Sequence, residues 1–419
     1  MAVAQHTVAD SCRAARAAAR RMAALSPTEK NGALNAIAVA LEARIPEILE
    51  ANARDLEAGR EAGLSDALMD RLALDSTRIR AMADGVRAIV ALEDPVGEVL
   101  ERFEHPNGLQ IRKVRVPLGV VAVVYEARPN VTIDSTALCL KAGNAVVLRG
   151  SSSAAHSNAV LASVAIEAAG QAGLPEHAIT LIAGGGREEL TELATQDGVV
   201  DLIIPRGGEG LKRALTGVAT VPVIFAASGN CHVYVDASAD LENALEIIVN
   251  AKVQRPGVCN AAETLLVHEA VADAFLPRAF AALRGHGVEL RGDDRVRALD
   301  ATVAVASEAD FADEFLALVL AVRVVDSVGD AIDHINEYGS GHSEAILTTA
   351  EDAAQAFRLG VDSACVYVNA STRFTDGGEF GMGAEIGNST QKLHARGPIG
   401  MRELCTYKYL VDGSGQVRA

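Results

Sequence analysis

The chain has 419 residues, of which 49% are hydrophobic and 4% aromatic, and its formal net charge at pH 7 is −17. This length is enough for two or three domains with a sizeable buried core. The acidic surplus argues against a nucleic-acid partner, because binding a phosphate backbone needs a surplus of cations, and an anionic substrate would need a local basic pocket.

Residues 8–92 are expected to form about four helices. The sequence Ser26-Pro27-Thr28-Glu29 has the residues of a helix start, with proline in the first turn. Pro46 follows a run of regularly spaced apolar residues, so we expect it to kink or interrupt the helix there. Residues 111–116 alternate apolar and basic side chains before Pro117, which predicts an exposed or edge strand.

Two stretches follow in which short apolar runs alternate with helical patterns. The first gives strands at 120–125, 145–149, 179–182, 200–204 and 221–225, with helices at 133–141, 153–172, 187–195 and 209–215. The second begins after residue 239 and gives helices at 241–253, 271–283, 327–337 and 351–359 and strands at 264–267, 301–304, 321–325, 345–347 and 365–368. Strands joined by helical crossovers predict an α/β fold with parallel sheets.

The C-terminal part of the chain is expected to be a long loop followed by one strand. Residues 370–400 are rich in glycine and polar side chains, which favours a loop that contacts substrate. A last strand is expected at 404–411. Since this strand and the one at 111–116 are lone strands near the two ends of the predicted fold, we expect pairing between subunits.

The most informative local pattern is residues 254–260, in which Cys259 follows a Pro-Gly turn. We expect a helix to begin after this turn, so that its free N–H groups and the charge of Arg255 lower the pKa of the thiol and make Cys259 a nucleophile. The alternative is that Cys259 is a small buried residue before the strand at 264–267. The other five cysteines are expected to be buried, and no cysteine spacing indicates a disulfide framework or a metal site.

Two strand-to-helix turns are candidates for binding a cofactor phosphate. Arg149 ends a predicted strand and precedes three serines that begin with Ser151, which suits a ribose phosphate; a helix N-cap is the alternative. Gly207 and Gly208 precede a predicted helix, where backbone N–H groups can bind a phosphate, although such turns often need glycine for geometry alone.

Two further groups of polar residues could bind an anionic substrate. Arg128 and Asn130 follow a predicted strand; Arg128 could pair with a carboxylate or phosphate, and Asn130 could donate to an oxyanion. The alternative is a surface arginine and a capping asparagine. Lys392, His394 and Arg396 place three basic groups within five residues of the long loop, and the alternative is a solvated run of charge.

Four motifs, in one order along nearly the whole chain, resemble those of the gamma-glutamyl phosphate reductases, a family of the aldehyde dehydrogenase superfamily. They are the segments at residues 125–132, 148–150, 254–260 and 387–398. The resemblance implies a Rossmann-like NADP-binding domain over 1–104 and 118–238, an α/β catalytic domain over 239–395, and a small β oligomerisation element over 105–117 and 396–419.

The resemblance also implies roles for individual residues. Cys259 is implied as the nucleophile, and Asn130 with the Cys259 backbone N–H as the group that binds the oxyanion. Arg149 falls where relatives place a lysine near the adenosine ribose, which implies a contact with the 2′-phosphate of NADP. The segment Ala312-Asp313-Glu314-Phe315 resembles the superfamily's Glu-x-Phe segment, which implies that Glu314 binds the nicotinamide ribose. The candidates for binding the phosphate and carboxylate of the substrate are Arg128, Arg255, Lys392, His394 and Arg396.

The activity implied is NADPH-dependent reduction of L-glutamyl 5-phosphate to L-glutamate 5-semialdehyde through a cysteine thioester, in proline biosynthesis. Hydrolytic relatives carry a glutamate base where this chain has Ala226-Ala227-Ser228-Gly229-Asn230. The alternatives are a hydrolytic dehydrogenase of another aldehyde and a non-catalytic binding protein.

The same sequence features lead to expectations about surroundings and partners. We find neither a signal peptide nor an 18-residue apolar run, so we expect a cytoplasmic protein without membrane contact. We also expect a homo-oligomer, either a dimer or a tetramer, with glutamate kinase as a candidate partner and no metal ion.

Overall fold

The computed structural model describes residues 7–184, 186–225 and 228–418, and of Ala67 and Glu209 the backbone alone. Its helices are α1 (Val8–Met22), α2 (Pro27–Ala43), α3 (Ile45–Glu61), α4 (Asp66–Leu72), α5 (Ser76–Ala91), α6 (Asn130–Lys141), α7 (Ala155–Gln171), α8 (Arg187–Ala194), α9 (Glu209–Thr216), α10 (Leu241–Val253), α11 (Glu269–Gly285), α12 (Asp294–Leu299), α13 (Glu308–Ala312), α14 (Val328–Tyr338) and α15 (Glu351–Gly360).

The strands alternate with these helices over most of the chain, as the periodicity predicts. They are β1 (Val99–Glu104), β2 (Gln110–Pro117), β3 (Val120–Tyr125), β4 (Ala145–Gly150), β5 (Ile179–Leu181), β6 (Leu202–Arg206), β7 (Cys231–Val235), β8 (Ala262–His268), β9 (Glu289–Gly292), β10 (Ala304–Val305), β11 (Val319–Val325), β12 (Ser343–Leu347), β13 (Cys365–Val368), β14 (Asn388–Ser389), β15 (Gly397–Pro398) and β16 (Cys405–Asp412).

The chain divides into two compact units. The first comprises Met1–Phe225, Gly381–Gly387 and Ile399–Ala419, and the second comprises Ala226–Phe380 and Asn388–Pro398. The predicted three-part assignment to cofactor, catalytic and oligomerisation domains stays a prediction, because compactness does not show what each part binds.

The first unit opens with helices whose starts are fixed by local chemistry. Ser26 and Glu29 form the reciprocal capping box at the start of α2, and Pro46 lies in the first turn of α3. The helix is therefore interrupted where Pro46 predicts. Five helices precede the first strand, where about four are expected.

A parallel sheet in the order β5-β4-β3-β6 forms the core of the first unit. Every residue of β3 and β4 is buried, as is typical of a parallel strand that is covered on both faces. The strand predicted at 221–225 is not formed, and Val223 makes only an isolated bridge to Ile203. Pro222 has no N–H to donate to a ladder, which limits pairing there.

A second sheet in the first unit corrects the expectation of two lone strands. β1, β2 and β16 form an antiparallel sheet in that order, so β2 is its middle strand and not an edge. Cys405 lies opposite Pro117, and Asp412 lies opposite Gln110. The partners are nearly 300 residues apart in sequence, and periodicity carries no information about such a pairing.

The second unit is built on a seven-stranded parallel sheet in the order β10-β9-β11-β8-β7-β12-β13. Its core packs residues of α10 and α11 against β7, β8 and β11. The periodicity predicts neither β7 nor β9, and the strand expected at 301–304 is reduced to the two residues of β10. Pairing of β7 with β8 places Cys231 opposite Ala262, close to the turn that carries Cys259.

Two absences complete the description of the fold. No helix in the described ranges is long and apolar enough to cross a membrane. Within the same ranges, no three His, Cys, Asp or Glu side chains group as a metal ion would need.

Candidate active site

Cys259 lies in a turn between α10 and β8 and is partly exposed. The expected helix after Cys259 is wrong: a strand follows, as the alternative proposed, but the thiol is not buried as that alternative also required. Among the described residues, which include all six cysteines, Cys259 alone is not buried. Burial raises the pKa of the Cys12 thiol to about 11 and that of Cys405 to about 12. Exposure therefore identifies Cys259 as the candidate nucleophile.

The backbone of Cys259 packs directly against Gly229. A Cβ atom placed on Gly229 would lie 1.5 Å from the carbonyl oxygen of Cys259 and 2.5 Å from its Cα. No side chain fits in that space without displacing the cysteine backbone. The position is therefore restricted to glycine by close approach.

Hydrogen bonds hold the same turn on its other sides. Cys231 Sγ donates to the carbonyl oxygen of Cys259 at 3.2 Å. Asn260 Nδ2 donates to the carbonyl oxygens of Thr375 at 2.9 Å and Arg373 at 3.3 Å. The turn is thus fastened both to β7 and to the segment that follows β13.

Glu314 is placed beside this turn through Gly229. Its Oε1 accepts a hydrogen bond from the Gly229 N–H at 2.7 Å. Burial raises the pKa of the Glu314 carboxyl, and the bond from Gly229 opposes that shift. The ribose-binding role implied for Glu314 stays a prediction.

In the second unit, Arg373 interacts electrostatically with both Cys259 and Arg255. Arg255 is exposed, and Arg373 Nε donates to Gln254 Oε1 at 2.8 Å. The pKa of Arg373 is lowered first by burial and then by the charge of Arg255, while the negative charges of the Cys259 thiolate and the Asp376 carboxylate act in the opposite direction. In the described ranges neither arginine forms an ion pair with a carboxylate. This cluster can attract an anion to Cys259.

The three basic residues of the long loop, Lys392, His394 and Arg396, differ from Arg255 and Arg373 because a carboxylate lies among them. Lys392 Nζ and Arg396 both form ion pairs with Asp362, and the Arg396 Nη1 to Asp362 Oδ1 distance is 3.1 Å. Their hydrogen bonds hold the pKa of Asp362 below its usual value. His394 is exposed. The predicted anion-binding role of these three residues is not tested, but Asp362 already balances part of their charge.

Asn130, in the first unit, begins α6 and has an acidic partner. Its Nδ2 donates to Asp134 Oδ2 at 2.9 Å, one helical turn further on. Burial raises the pKa of the Asp134 carboxyl to about 6, and the bond from Asn130 opposes that shift. Asp134 therefore orients the amide that the sequence assigns to an oxyanion. Arg128 is partly buried just before α6.

The predicted cofactor residues lie at the carboxyl ends of β4 and β6, also in the first unit. Arg149 is 7% exposed, and its Nη2 donates to the Gly186 carbonyl oxygen at 2.7 Å. Its buried Nε has no hydrogen-bond partner among the described residues. Ser151 Oγ lies 2.6 Å from Ser153 Oγ. An orphaned buried donor and two hydroxyls fit a phosphate-bearing ligand.

The glycine turn before α9 binds the side-chain carboxylate of Glu126. Gly208 N donates to Glu126 Oε2 at 3.1 Å. A Cβ atom on Gly207 would lie 2.7 Å from Glu126 Cδ, so the glycine admits that carboxylate. This shows that the start of α9 binds a negative group, as helix starts do.

Several residues of these clusters escape sequence reasoning. Gly229 and Arg373 belong to no local pattern, because Gly229 contacts Cys259 across 30 residues and Arg373 contacts Asn260 across 113 residues. Glu126 lies within a motif but is separated from Gly208 by 82 residues. Asp134 is the one of these residues that the sequence could have revealed, because it lies four residues after Asn130 and near the start of the predicted helix at 133–141.

Gly229→Ala should disrupt the cysteine turn. We expect a stability loss on the order of 1–3 kcal/mol and at least about a tenfold loss of turnover, since the added methyl overlaps the Cys259 backbone. Thermal unfolding and steady-state kinetics measure the two effects. Gly170→Ala is the control, because it lies in α7 and a Cβ there meets nothing within 4 Å. Equal behaviour of the two variants would contradict the close-packing account.

This chain is similar to known gamma-glutamyl phosphate reductases over nearly its whole length. The aldehyde dehydrogenase family model matches residues 1–297. The gamma-glutamyl phosphate reductases of Moorella thermoacetica and Thermobifida fusca are 59% and 56% identical to this chain over 404 residues, covering 96% of it and 97% of each relative. The solved gamma-glutamyl phosphate reductase of Thermotoga maritima has a TM-score of 0.97 at 47% identity, with 98% of this chain and 100% of that one covered.

These matches confirm the fold and the resemblance drawn from the four motifs. The aldehyde dehydrogenase fold binds a nicotinamide cofactor. With relatives of this similarity along its whole length, the chain belongs to the gamma-glutamyl phosphate reductases of the aldehyde dehydrogenase family.

Proposed function

We propose that the chain reduces L-glutamyl 5-phosphate to L-glutamate 5-semialdehyde with NADPH and releases phosphate, as a step of proline biosynthesis. The observation that carries this proposal is a partly exposed thiol, Cys259, within electrostatic range of Arg373, which in turn interacts with Arg255. A thiolate supplies the nucleophile, and the cations suit an acyl phosphate. The close relatives carry the name of this activity.

Covalent catalysis by Cys259 divides the reaction into two easier steps. Its thiolate attacks the acyl carbon, the bond from carbon to the phosphate oxygen breaks, and a thioester remains. The Cys259 backbone N–H and the Asn130 amide are assigned to the tetrahedral oxyanion. The nicotinamide cofactor, when bound, supplies the hydride that reduces the thioester carbon. Cys259 then leaves as a thiolate while the aldehyde forms.

The Asn130 assignment is compatible with its bond to Asp134. An asparagine amide has two N–H donors, and Asp134 uses one of them. A carboxylate acceptor fixes the orientation of the amide before substrate arrives, which is the preorganisation that oxyanion stabilisation needs.

For the cofactor we propose NADPH, held by Arg149, Ser151, Gly207 and Gly208, with Glu314 on the nicotinamide ribose. The unpartnered buried Nε of Arg149 and the neighbouring serine hydroxyls support a phosphate ligand. The anion-binding start of α9 supports a second contact with the dinucleotide.

A hydrolytic dehydrogenase is the alternative that the comparisons do not support. The sequence at 226–230 lacks a carboxylate, although Ala226 and Ala227 lie outside the described residues. The lack of a carboxylate in this segment supports release of phosphate without hydrolysis.

We also propose a cytoplasmic homo-oligomer, a dimer or tetramer. Tyr407, Tyr409 and Val411 lie on one face of β16 and are each at least half exposed, which supports burial against another subunit. Because acyl phosphates are reactive, direct transfer from glutamate kinase is a further candidate interaction.

Cys259→Ala should abolish turnover and leave the fold and cofactor binding unchanged, because the thiolate forms the covalent bond. Loss of the nucleophile should reduce the rate by more than about a hundredfold, which is roughly 3 kcal/mol of barrier. Steady-state assays and cofactor titration measure this. Cys139→Ala, which removes a fully buried thiol, is the control and should retain activity. Comparable rates for the two variants would rule out covalent catalysis by Cys259.

Oxidation of glutamate semialdehyde should depend strictly on phosphate or arsenate. Water needs a general base in its transition state, worth roughly a hundredfold or more, whereas phosphate is already anionic. Cofactor reduction in buffers with and without phosphate measures the dependence, and chromatography identifies glutamyl phosphate as the first product. Sustained turnover without phosphate, with free glutamate accumulating, would favour the hydrolytic alternative.

Arg149→Ala should weaken the binding of NADPH more than the binding of NADH, because only NADPH carries a 2′-phosphate. We expect the loss for NADPH to be about tenfold or more, the usual size for a charged hydrogen bond. KM and Kd for both cofactors measure the difference, and Arg149→Lys is the control that keeps the charge. Equal losses for the two cofactors would give Arg149 a structural role.

A further inference from the structure

We propose that Arg373, acting with Arg255, binds the phosphoryl group beside Cys259 and thereby selects phosphate as the acyl acceptor. This deepens the proposed function and rests on it. The ligand class is a phosphate dianion, either free or esterified to the acyl carbon.

The first argument is the placement of Arg373. Its carbonyl oxygen accepts a hydrogen bond from the side chain of Asn260, the residue after the thiol, at 3.3 Å. Thr372 Oγ1 donates to the Asn260 carbonyl oxygen at 2.7 Å, so the segment before Arg373 is fastened to the same residue. The backbone that carries this guanidinium is therefore fixed relative to Cys259.

The second argument is the orientation of the side chain. Arg373 Nε donates to Gln254 Oε1 at 2.8 Å, and Gln254 directly precedes Arg255. This neutral acceptor orients the guanidinium without balancing its charge. A carboxylate in the same place would balance the charge of the guanidinium, as Asp362 balances part of the charge of Lys392 and Arg396.

The third argument is the charge around Arg373. Its guanidinium is partly buried and interacts electrostatically with Arg255, and although the Asp376 carboxylate also acts on it, no ion pair joins Arg373 to a carboxylate among the described residues. Two like charges brought together beside a thiol destabilise each other unless an anion binds between them. A phosphate dianion matches two guanidinium groups in charge and in hydrogen-bond geometry.

The position favours the phosphoryl group over the carboxylate of the glutamyl chain. Arg373 interacts electrostatically with Cys259, and the phosphoryl group is bonded to the carbon that this thiol attacks. The carboxylate lies at the other end of the carbon chain. In the oxidative direction, an oxygen of HPO₄²⁻ forms the new C–O bond and the C–S bond breaks. Its electron pair returns to Cys259 as a thiolate, and the phosphate proton passes to solvent.

Kinetics of the oxidative half-reactions test this proposal in the full-length enzyme. We compare wild type, Arg373→Gln, Arg373→Lys and the control Arg358→Gln, whose side chain pairs with Glu351 on the surface of α15. Arg373→Gln should raise the KM for phosphate about tenfold or more, the usual effect of losing a charged hydrogen bond. The single-turnover burst of NADPH and the KM for semialdehyde should stay within about twofold. Arg373→Lys should be intermediate.

Alkylation of Cys259 gives a second readout that needs no turnover. The other five cysteines are buried, so the partly exposed thiol is the expected target. The rate with anionic iodoacetate, divided by the rate with neutral iodoacetamide, should fall about fivefold in Arg373→Gln and stay unchanged in Arg358→Gln. This ratio measures the positive potential at the thiol even if a variant is inactive.

The outcomes distinguish a failure of the role proposed for Arg373 from a failure of the proposed function. An unchanged phosphate KM together with an unchanged alkylation ratio would overturn the role of Arg373. A raised semialdehyde KM with an unchanged phosphate KM would place Arg373 on the substrate carboxylate, which also overturns it. Turnover of wild type without phosphate would instead overturn the proposed function, and the phosphate role of Arg373 with it.

Discussion

The active-site turn depends on one steric constraint, the contact between Gly229 and the backbone of Cys259. A Cβ at position 229 would lie 1.5 Å from the cysteine carbonyl oxygen, so the two segments approach as closely as a glycine permits. Glu314 binds the N–H of the same glycine at 2.7 Å. One residue without a side chain thus connects the nucleophile to the predicted ribose-binding carboxylate, and neither can shift independently.

A buried network of hydrogen-bonded polar side chains holds the turn that makes this contact. The Cys231 thiol donates to the Cys259 carbonyl oxygen and lies 3.8 Å from His342 Nδ1. Burial keeps that thiol protonated by raising its pKa, and lowers the pKa of His342 to about 4, so both are neutral near pH 7. Cys231 and His342 therefore hold the turn without adding a charge near Cys259. The chain continues through short contacts between the hydroxyl groups of Ser343, Thr375 and Tyr367.

Sequence reasoning succeeds where structure is local. The buried strands β3 and β4 and the helix α10 are found because continuous apolar runs and helical spacing are sufficient signals. It fails for β7, whose short Cys-His-Val-Tyr-Val run mixes polar and apolar residues although both neighbours in the sheet bury it. Cys259 is predicted as the nucleophile from a helix start that the structure does not contain, and its partial exposure is a separate observation that supports the prediction. The contacts of Gly229 and Arg373 depend on tertiary packing that no local pattern encodes.

The central claim is that Cys259, held by Gly229, carries the acyl group between the two half-reactions. Trapping that intermediate tests the claim most directly. The enzyme is mixed with glutamate semialdehyde and NADP in phosphate-free buffer, quenched in acid within one turnover, digested at low pH and analysed by mass spectrometry. We expect one glutamyl group on the peptide that contains Cys259, and its loss when phosphate is added before the quench. Reduced cofactor without any acylated peptide, or a glutamyl group on another residue, would contradict the account.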